Sequence, residues 1–425
     1  MNRVATVAAV AALALTAACG GAGGGGGGGD TGGGPAGAPA AAPGFDGTTI
    51  KLGVLSPLSG PVAVIGQPLT TGNKVWFDQL NAAGGVAGKY KVELVQEDTQ
   101  YQPDVAVQQY NKIKGDVVAL TQLLGTPSTL AVLPLLRTDK VIAAPASLDA
   151  LWVREDNLLP IGAPYQVQAI NAMDHYFSDG GTPASKVCTM IQDDVYGEAG
   201  QEGVDFAAER YGFTVANTQK FKAGTENYAG QIQALAGAGC EVVFLVATPS
   251  DAGKIWGTAA QGKFSPRWYG QSPSWVGALA QSPLAAYLEA TVFIAADGTE
   301  WGDTSVPGMQ SMVSDMGQFA PQQQPDYYFA FGYNQARAMT ALLEKAVERG
   351  DLSRDGLLAA SREMGTVTFD GLTGDYQYGP AENRNPPRTT TIFKVDPAKP
   401  FGLATVKYNF TSEAAGAYEF VKADI

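Results

Sequence analysis

One histidine and three cysteines in 425 residues leave little material for metal or nucleophile chemistry. With His175 alone, most histidine-based zinc sites are excluded, and neither a Ser-His-Asp nor a Cys-His catalytic set has much to be assembled from. Positive charge is also scarce. There are 28 Lys+Arg against 41 Asp+Glu, a net charge of −13, so nothing here could neutralise a run of phosphates, and nucleic acid is excluded as a partner. Long hydrophobic runs are few, and the run at residues 4–18 is too short and too small-sided for a comfortable membrane span. Glycine is the exception, at 53 residues, much of it in one tract. The 45% hydrophobic content is ordinary for a globular protein. At roughly 100–200 residues per domain, the length predicts about two or three domains.

The first residues, MNRVATVAAVAALALTAAC, read as a processing segment. Arg3 supplies the positive start, an apolar stretch follows, and Ala17-Ala18 precede Cys19. A small-residue site ending at a cysteine resembles a bacterial lipobox, in which Cys19 is acylated. The pattern departs at Thr16, where leucine is usual, with Leu15 one step back. The alternative is a plain secretory signal cut near Ala18. Both readings carry residues 1–19 as a signal segment and place the mature chain outside the cytoplasm. Residues 20–45 hold little that could build a core and read as a Gly/Ala/Pro-rich linker. About 25 such residues span roughly 25–30 Å r.m.s., the reach of a leash from a membrane surface. The glycines are no phosphate loop, lacking a preceding strand and a Lys-Ser/Thr signature.

From residue 48 strands and helices alternate. Strands are predicted at 50–55, 91–98, 117–123 and 140–146, with helices at 68–82, 103–113 and from a Ser128 cap to 136. The theme restarts with helices at 165–178, 197–211, 228–237 and 250–261, and strands at 187–192, 213–219, 241–247, 267–271 and 290–296. A long helix over 326–349 and β-rich segments at 366–378 and 389–395 close the chain. Apolar strands alternating with helices imply parallel sheets covered on both faces, and two such runs imply two doubly wound α/β lobes. The expected division is 46–162 with 297–365 for the first lobe and 163–296 with 366–425 for the second. About three crossings would form the hinge, with a cleft at the carboxyl ends of both sheets.

Five segments then carry a resemblance: GVLSPLSGPVAVIG (53–66), NAAGGVAGKYKVELVQEDTQ (81–100), DDVYGEAG (193–200), GTENYAGQIQAL (224–235) and FDGLTG (369–374). Their order resembles the branched-chain amino-acid-binding family of type I periplasmic solute-binding proteins, which serve ABC importers. The resemblance covers nearly all of 48–395. It implies capture of a small solute between closing lobes and delivery to ABC permease subunits, without catalysis or a cofactor, in a monomer attached to the membrane only by its lipid.

The resemblance also places ligand contacts. The loop Gly125-Thr126-Pro127-Ser128 matches a serine-rich loop that holds a ligand carboxylate. The physics agrees, since helix N-terminal N–H groups and the dipole favour an anion there. Ala146 and Ser147 follow the next strand, and Ser59 lies at the same cleft edge. Across the cleft, Tyr196 matches a lid tyrosine. Thr248 stands where relatives often carry an aromatic. Ser272 stands near the position where amino-acid binders place an acid for the α-ammonium. Asp193, Asp194 or Asp251 would have to substitute, because a buried ammonium without a carboxylate is costly. Tyr328 matches an aromatic from the returning helix, and Trp152, Tyr165 and Trp275 lie in cleft-side loops.

Cys188 and Cys240 each start a strand of the second lobe. In a 2-1-3 strand order they share one end of the sheet, so either a disulfide or two buried free thiols is expected. His175 is expected at the surface or its boundary. The leading expectation is a tethered importer-binding protein. A sensor of the same fold that signals to a partner is the alternative, and a hydrolase is disfavoured because no nucleophile–His–acid set can be assembled.

Overall fold

In a computed structural model that describes residue 39 and residues 42–422, the chain folds around two separate β-sheets. The signal segment with Cys19, and nearly all of the glycine-rich linker, lie outside the described residues.

The first sheet comprises β1 (Thr49–Ser56), β2 (Lys91–Asp98), β3 (Ala119–Leu124) and β4 (Ala143–Ala146), in the order β2-β1-β3-β4. Every pairing is parallel. Three helices connect these strands: α1 (Ala63–Ala82), α2 (Pro103–Ile113) and α3 (Thr126–Asp139). β3 is buried at all six positions, as expected of a strand covered on both faces.

The second sheet has seven strands. Its parallel part is built from α4 (Tyr165–Ser178), β5 (Val187–Gln192), α5 (Val195–Tyr211), β6 (Val215–Phe221), α6 (Ala229–Gly237), β7 (Val242–Val246), α7 (Pro249–Gln261), β8 (Arg267–Gln271), α8 (Ala285–Thr291) and β9 (Val292–Ala296). After α9 (Pro307–Phe319), α10 (Tyr327–Glu348), α11 (Arg354–Ser361) and the short ribbon of β10 (Thr366–Val367) with β11 (Tyr376–Gln377), the chain returns. β12 (Thr390–Val395) and β13 (Leu403–Phe410) then join antiparallel, and the short α12 (Glu413–Gly416) follows. The order β13-β12-β9-β8-β7-β5-β6 contains the 2-1-3 arrangement β6-β5-β7. It places Cys188 and Cys240 together, and they form a disulfide with Cα atoms 5.8 Å apart.

Sequence and structure part at four places. First, α1 begins at Ala63, not at Pro68, which sits inside the helix. Its missing N–H forfeits one ladder bond, to the carbonyl four residues back, while Ile65 and Leu69 on either side are buried. Second, Ser128 is no helix cap. α3 starts two residues earlier with Gly125 as N-cap, at φ 100°. Third, His175 is buried, not superficial: its Nδ1 lies 2.6 Å from the Tyr269 hydroxyl, and desolvation lowers its pKa. Fourth, residues 366–425 do not all go with the second sheet. Phe369, Tyr376 and Tyr378 are buried against Met339, Leu342 and Leu357 in the core under the first sheet, because α10 and α11 return there and leave an apolar face for the ribbon to cover.

Three segments pass between the lobes, and one carboxylate ties them. Asp297, just after β9, accepts from the backbone N–H of Ala163 at 3.3 Å and from Thr373 Oγ1. Burial pushes its pKa up to about 6 against the opposing pull of these hydrogen bonds.

Candidate functional site: the cleft between the lobes

The carboxyl ends of β3, β4, β7 and β8 converge on one open cavity. Of the residues singled out in the sequence, Gly125, Thr126, Ala146, Ser147, Tyr196, Thr248, Ser272 and Tyr328 all line it, and so does Tyr165. Two do not. Ser59 is turned outward and gives its hydroxyl to Asp98 Oδ2. Ser128 is buried in the first turn of α3 without lining the cavity. Trp152 is buried and donates its indole N–H to Ser147 Oγ at 3.0 Å. Trp275 lines a neighbouring cavity.

The polar end of the cavity is local in origin. Gly125 takes a backbone conformation that favours glycine, and a Cβ there would come within 2.8 Å of the Tyr101 ring. Its absence lets Tyr101 close over the turn. Past this turn, the N–H groups of Thr126 and Ser128 have no intrahelical acceptor, and Pro127 has no N–H to offer. The Thr126 hydroxyl is buried and has no hydrogen-bond partner. Ser147 Oγ accepts from Trp152 and keeps its own proton free to donate. Three donors thus share one end: the Thr126 and Ser147 hydroxyls and the Thr126 backbone amide.

The remainder of the wall is apolar and aromatic. Val62, just before α1, and Ile65 and Leu69 of α1 line it with Leu124 and Leu148, and Tyr101, Tyr165, Tyr196, Tyr327, Tyr328 and Phe331 complete the wall. Tyr165 and Tyr196 meet edge to face at 5.3 Å. The Tyr196 hydroxyl donates to the Ala247 carbonyl at 3.2 Å, and Tyr328 donates across the cleft to the Trp275 carbonyl at 2.8 Å. Desolvation raises the pKa of both phenols, so they remain neutral donors.

No Asp, Glu, Lys, Arg or His lines the cavity among the described residues. The three acids that could have met an ammonium are committed elsewhere. Asp193 pairs with Lys220. Asp194 caps α5 by accepting from the N–H groups of Tyr196 and Gly197. Asp251 accepts from Tyr228, Thr248 and the Gly224 N–H. The lobes also touch at the rim, where Ser250 Oγ donates to the Pro61 carbonyl at 2.9 Å.

Tyr101, Tyr327, Phe331 and the α1 face escaped the sequence reading. The α1 residues had a signal, since Val62, Ile65 and Leu69 fall at helical spacing, but it was hidden by taking Pro68 as a helix start. Tyr101 had little beyond its place before Pro103.

A two-lobed α/β body with a three-strand hinge and a cavity at the strand carboxyl ends defines a ligand-binding clamshell of the type I periplasmic kind. The chain belongs to the periplasmic binding protein family, whose model matches residues 49–400. Among sequence relatives, the Leu/Ile/Val-binding protein homolog 3 of Brucella melitensis biotype 1 is 26% identical over 200 residues, 46% of this chain. That match spans only 53% of the relative's length. Among solved structures, the fatty acid ABC transporter substrate-binding protein from Thermomonospora curvata superposes with a TM-score of 0.84 at 26% identity, covering 90% of this chain and 97% of that one. A branched-chain amino acid ABC transporter protein from Thermus thermophilus with bound valine gives a TM-score of 0.75 at 16% identity, covering 87% and 98%; this likeness concerns the fold.

Proposed function

We propose that this chain is the extracytoplasmic substrate-binding component of an ABC importer, anchored by lipid at Cys19 and leashed by residues 20–45. It captures a small solute with a carboxylate or amide head and an apolar body, and delivers it to permease subunits without chemical change. The observation that carries this reading is the cavity itself: unpartnered donors at one end, an apolar wall elsewhere, and no charge anywhere on the lining. Helix-terminal amides and hydroxyls stabilise an anion without a cation.

The same wall favours a carboxylate that lacks an α-ammonium. A free amino acid would bury its ammonium among phenols and aliphatic groups with no acid on the lining among the described residues, at a cost of several kcal/mol by the usual desolvation estimate. The Brucella relative is named for leucine, isoleucine and valine, and the Thermomonospora protein for fatty acids. The neutral lining sides with the second.

Isothermal titration with leucine, hexanoate and hexanamide tests the reading. Hexanoate is expected to bind at least about tenfold more tightly than leucine, the effect of one uncompensated charge worth some 1.4 kcal/mol or more. Leucine binding as tightly as hexanoate would overturn the head-group assignment. Absence of binding by all three, with nothing retained on native mass spectrometry, would overturn the binding role.

A further inference from the structure

The cleft cavity has a neighbour. A second cavity adjoins it, and Ser272, Tyr327 and Phe331 line both. Its far wall is made where the antiparallel edge of the seven-stranded sheet meets α9 and α10. Trp275, Trp301, Met309, Phe393, Phe401 and Leu403 supply most of it. The Trp275 indole N–H is spent on the Phe401 carbonyl at 3.0 Å, so that ring offers only carbon to the space. Polar groups border it on the hinge side and, through Glu300, beside the β12–β13 hairpin. Asp297 is held by Ala163 and Thr373, and Glu300 by Lys399 and the Thr405 N–H; Thr299 and Asn334 complete the edge.

Protein interiors hold few voids larger than a water molecule, and apolar ones forfeit the contacts of their lining atoms. Two adjoining apolar spaces behind a polar entrance are therefore most simply explained as spaces meant to be filled. Ala330 and Phe331 of α10 are only partly buried, while Phe329 and Tyr333 beside them are fully packed. The partly open side chains are those that line the second cavity.

We propose that the two cavities form one bipartite site, and that its ligand is a long-chain aliphatic carboxylate. The head sits at the amino end of α3 against Thr126 and Ser147. The chain passes Ser272, Tyr327 and Phe331 and ends among Trp275, Trp301 and Phe401. This rests on the reading of the first cavity as the ligand site and extends it: a branched-chain side chain would be satisfied by the first cavity, whereas the second has a use only for a chain that runs on.

Titration with straight-chain carboxylates of increasing length, from butanoate to hexadecanoate and below micelle-forming concentrations, tests the proposal. Each methylene buried adds about fourfold in affinity. The climb is expected to continue well past hexanoate and to level only when the second cavity is full. Ala296 and Ala330 both line that cavity, so Ala296→Phe and Ala330→Phe should each cut the climb short while leaving hexanoate affinity within about twofold. An ω-brominated long chain should quench tryptophan emission, and Trp275→Phe with Trp301→Phe should abolish that quenching. If hexanoate binds but affinity is flat beyond it, the bipartite site is overturned while the first cavity stands. If no carboxylate binds at all, both fall. Should either alanine variant fail to fold, the length series on the unmodified protein decides the matter.

Discussion

Replacing Thr126 by valine separates what the cleft needs for binding from what it needs for folding. The Thr126 hydroxyl is buried and unpartnered in the ligand-free protein. An unsatisfied buried hydroxyl costs about 1–3 kcal/mol in mutational measurements. Valine keeps the branched shape and removes the cost, so Thr126→Val should be as stable as the parent without ligand or more so. A gain of 1 kcal/mol would appear as a rise of roughly 2–4 °C in Tm by the scaling for mid-sized domains. With ligand the sign reverses. A hydrogen bond to a charged group is worth about 1.5–3 kcal/mol, so the variant should bind hexanoate roughly 10–150-fold more weakly. Differential scanning calorimetry of the ligand-free protein and isothermal titration of both proteins measure the two effects. A fall in ligand-free Tm together with unchanged hexanoate affinity would refute the reasoning, since it would mean that the hydroxyl serves the fold and not the guest.

Three further outcomes follow from other parts of the molecule. The Cys188–Cys240 disulfide closes a loop of 52 residues, worth roughly 4 kcal/mol in the chain-entropy model. Replacing both cysteines by alanine should lower the urea midpoint, yet leave ligand affinity unchanged, because Cys188 lies near the start of β5, at the opposite end from the cleft. Asp297 has its native pKa raised to about 6 and an unfolded value near 3.9. It therefore takes up a proton on folding between those values, and its contribution is greatest below about pH 4 and is lost as pH rises through 6. Urea midpoints should accordingly decline across that window by a component that Asp297→Asn removes, and an identical slope in both proteins would refute the assignment. Ser250→Ala deletes the rim contact to Pro61. At about 1 kcal/mol for a net hydrogen bond, affinity should drop about fivefold, with an increased radius of gyration for the liganded form in small-angle scattering.

Much of this architecture was legible in the residues, and the reasons are specific. β2, α2, α4, β5 and β8 fall on the predicted residues because strong periodicity coincides there with clear punctuation. Pro103 opens α2 where its missing N–H costs nothing, and Gly212 in the left-handed region ends α5. α9, α11 and β13 were not foreseen. α9 carries Met309 and Met312 on its buried face among glycine and serine, too weak a stripe to stand out. β13 is largely exposed, with an alternation that only its pairing to β12 makes meaningful. For the site, the family resemblance pointed to Thr126, Ser147 and Ser272 in loops after strands, and only the helix terminus at Thr126 had a physical argument of its own. What no local pattern carries is the inner wall, where Trp301, Phe401 and the Tyr327–Phe331 turn of α10 come from three separate places in the chain. Ser128 misled because a serine before a helical run reads as a cap, whereas Gly125 takes that place.

The uncharged lining has a consequence for unloading. A guest gripped by an ion pair must have that bond broken at the moment of transfer, in surroundings where bare charges are dear. In the proposed site the first cavity would hold its cargo with amides, alcohols and oily rings, so parting the jaws there would expose no orphaned counter-ion on the protein. Hand-off then becomes a question of how readily the hinge swings and how greasy the receiving chamber is, not of finding another ion to exchange.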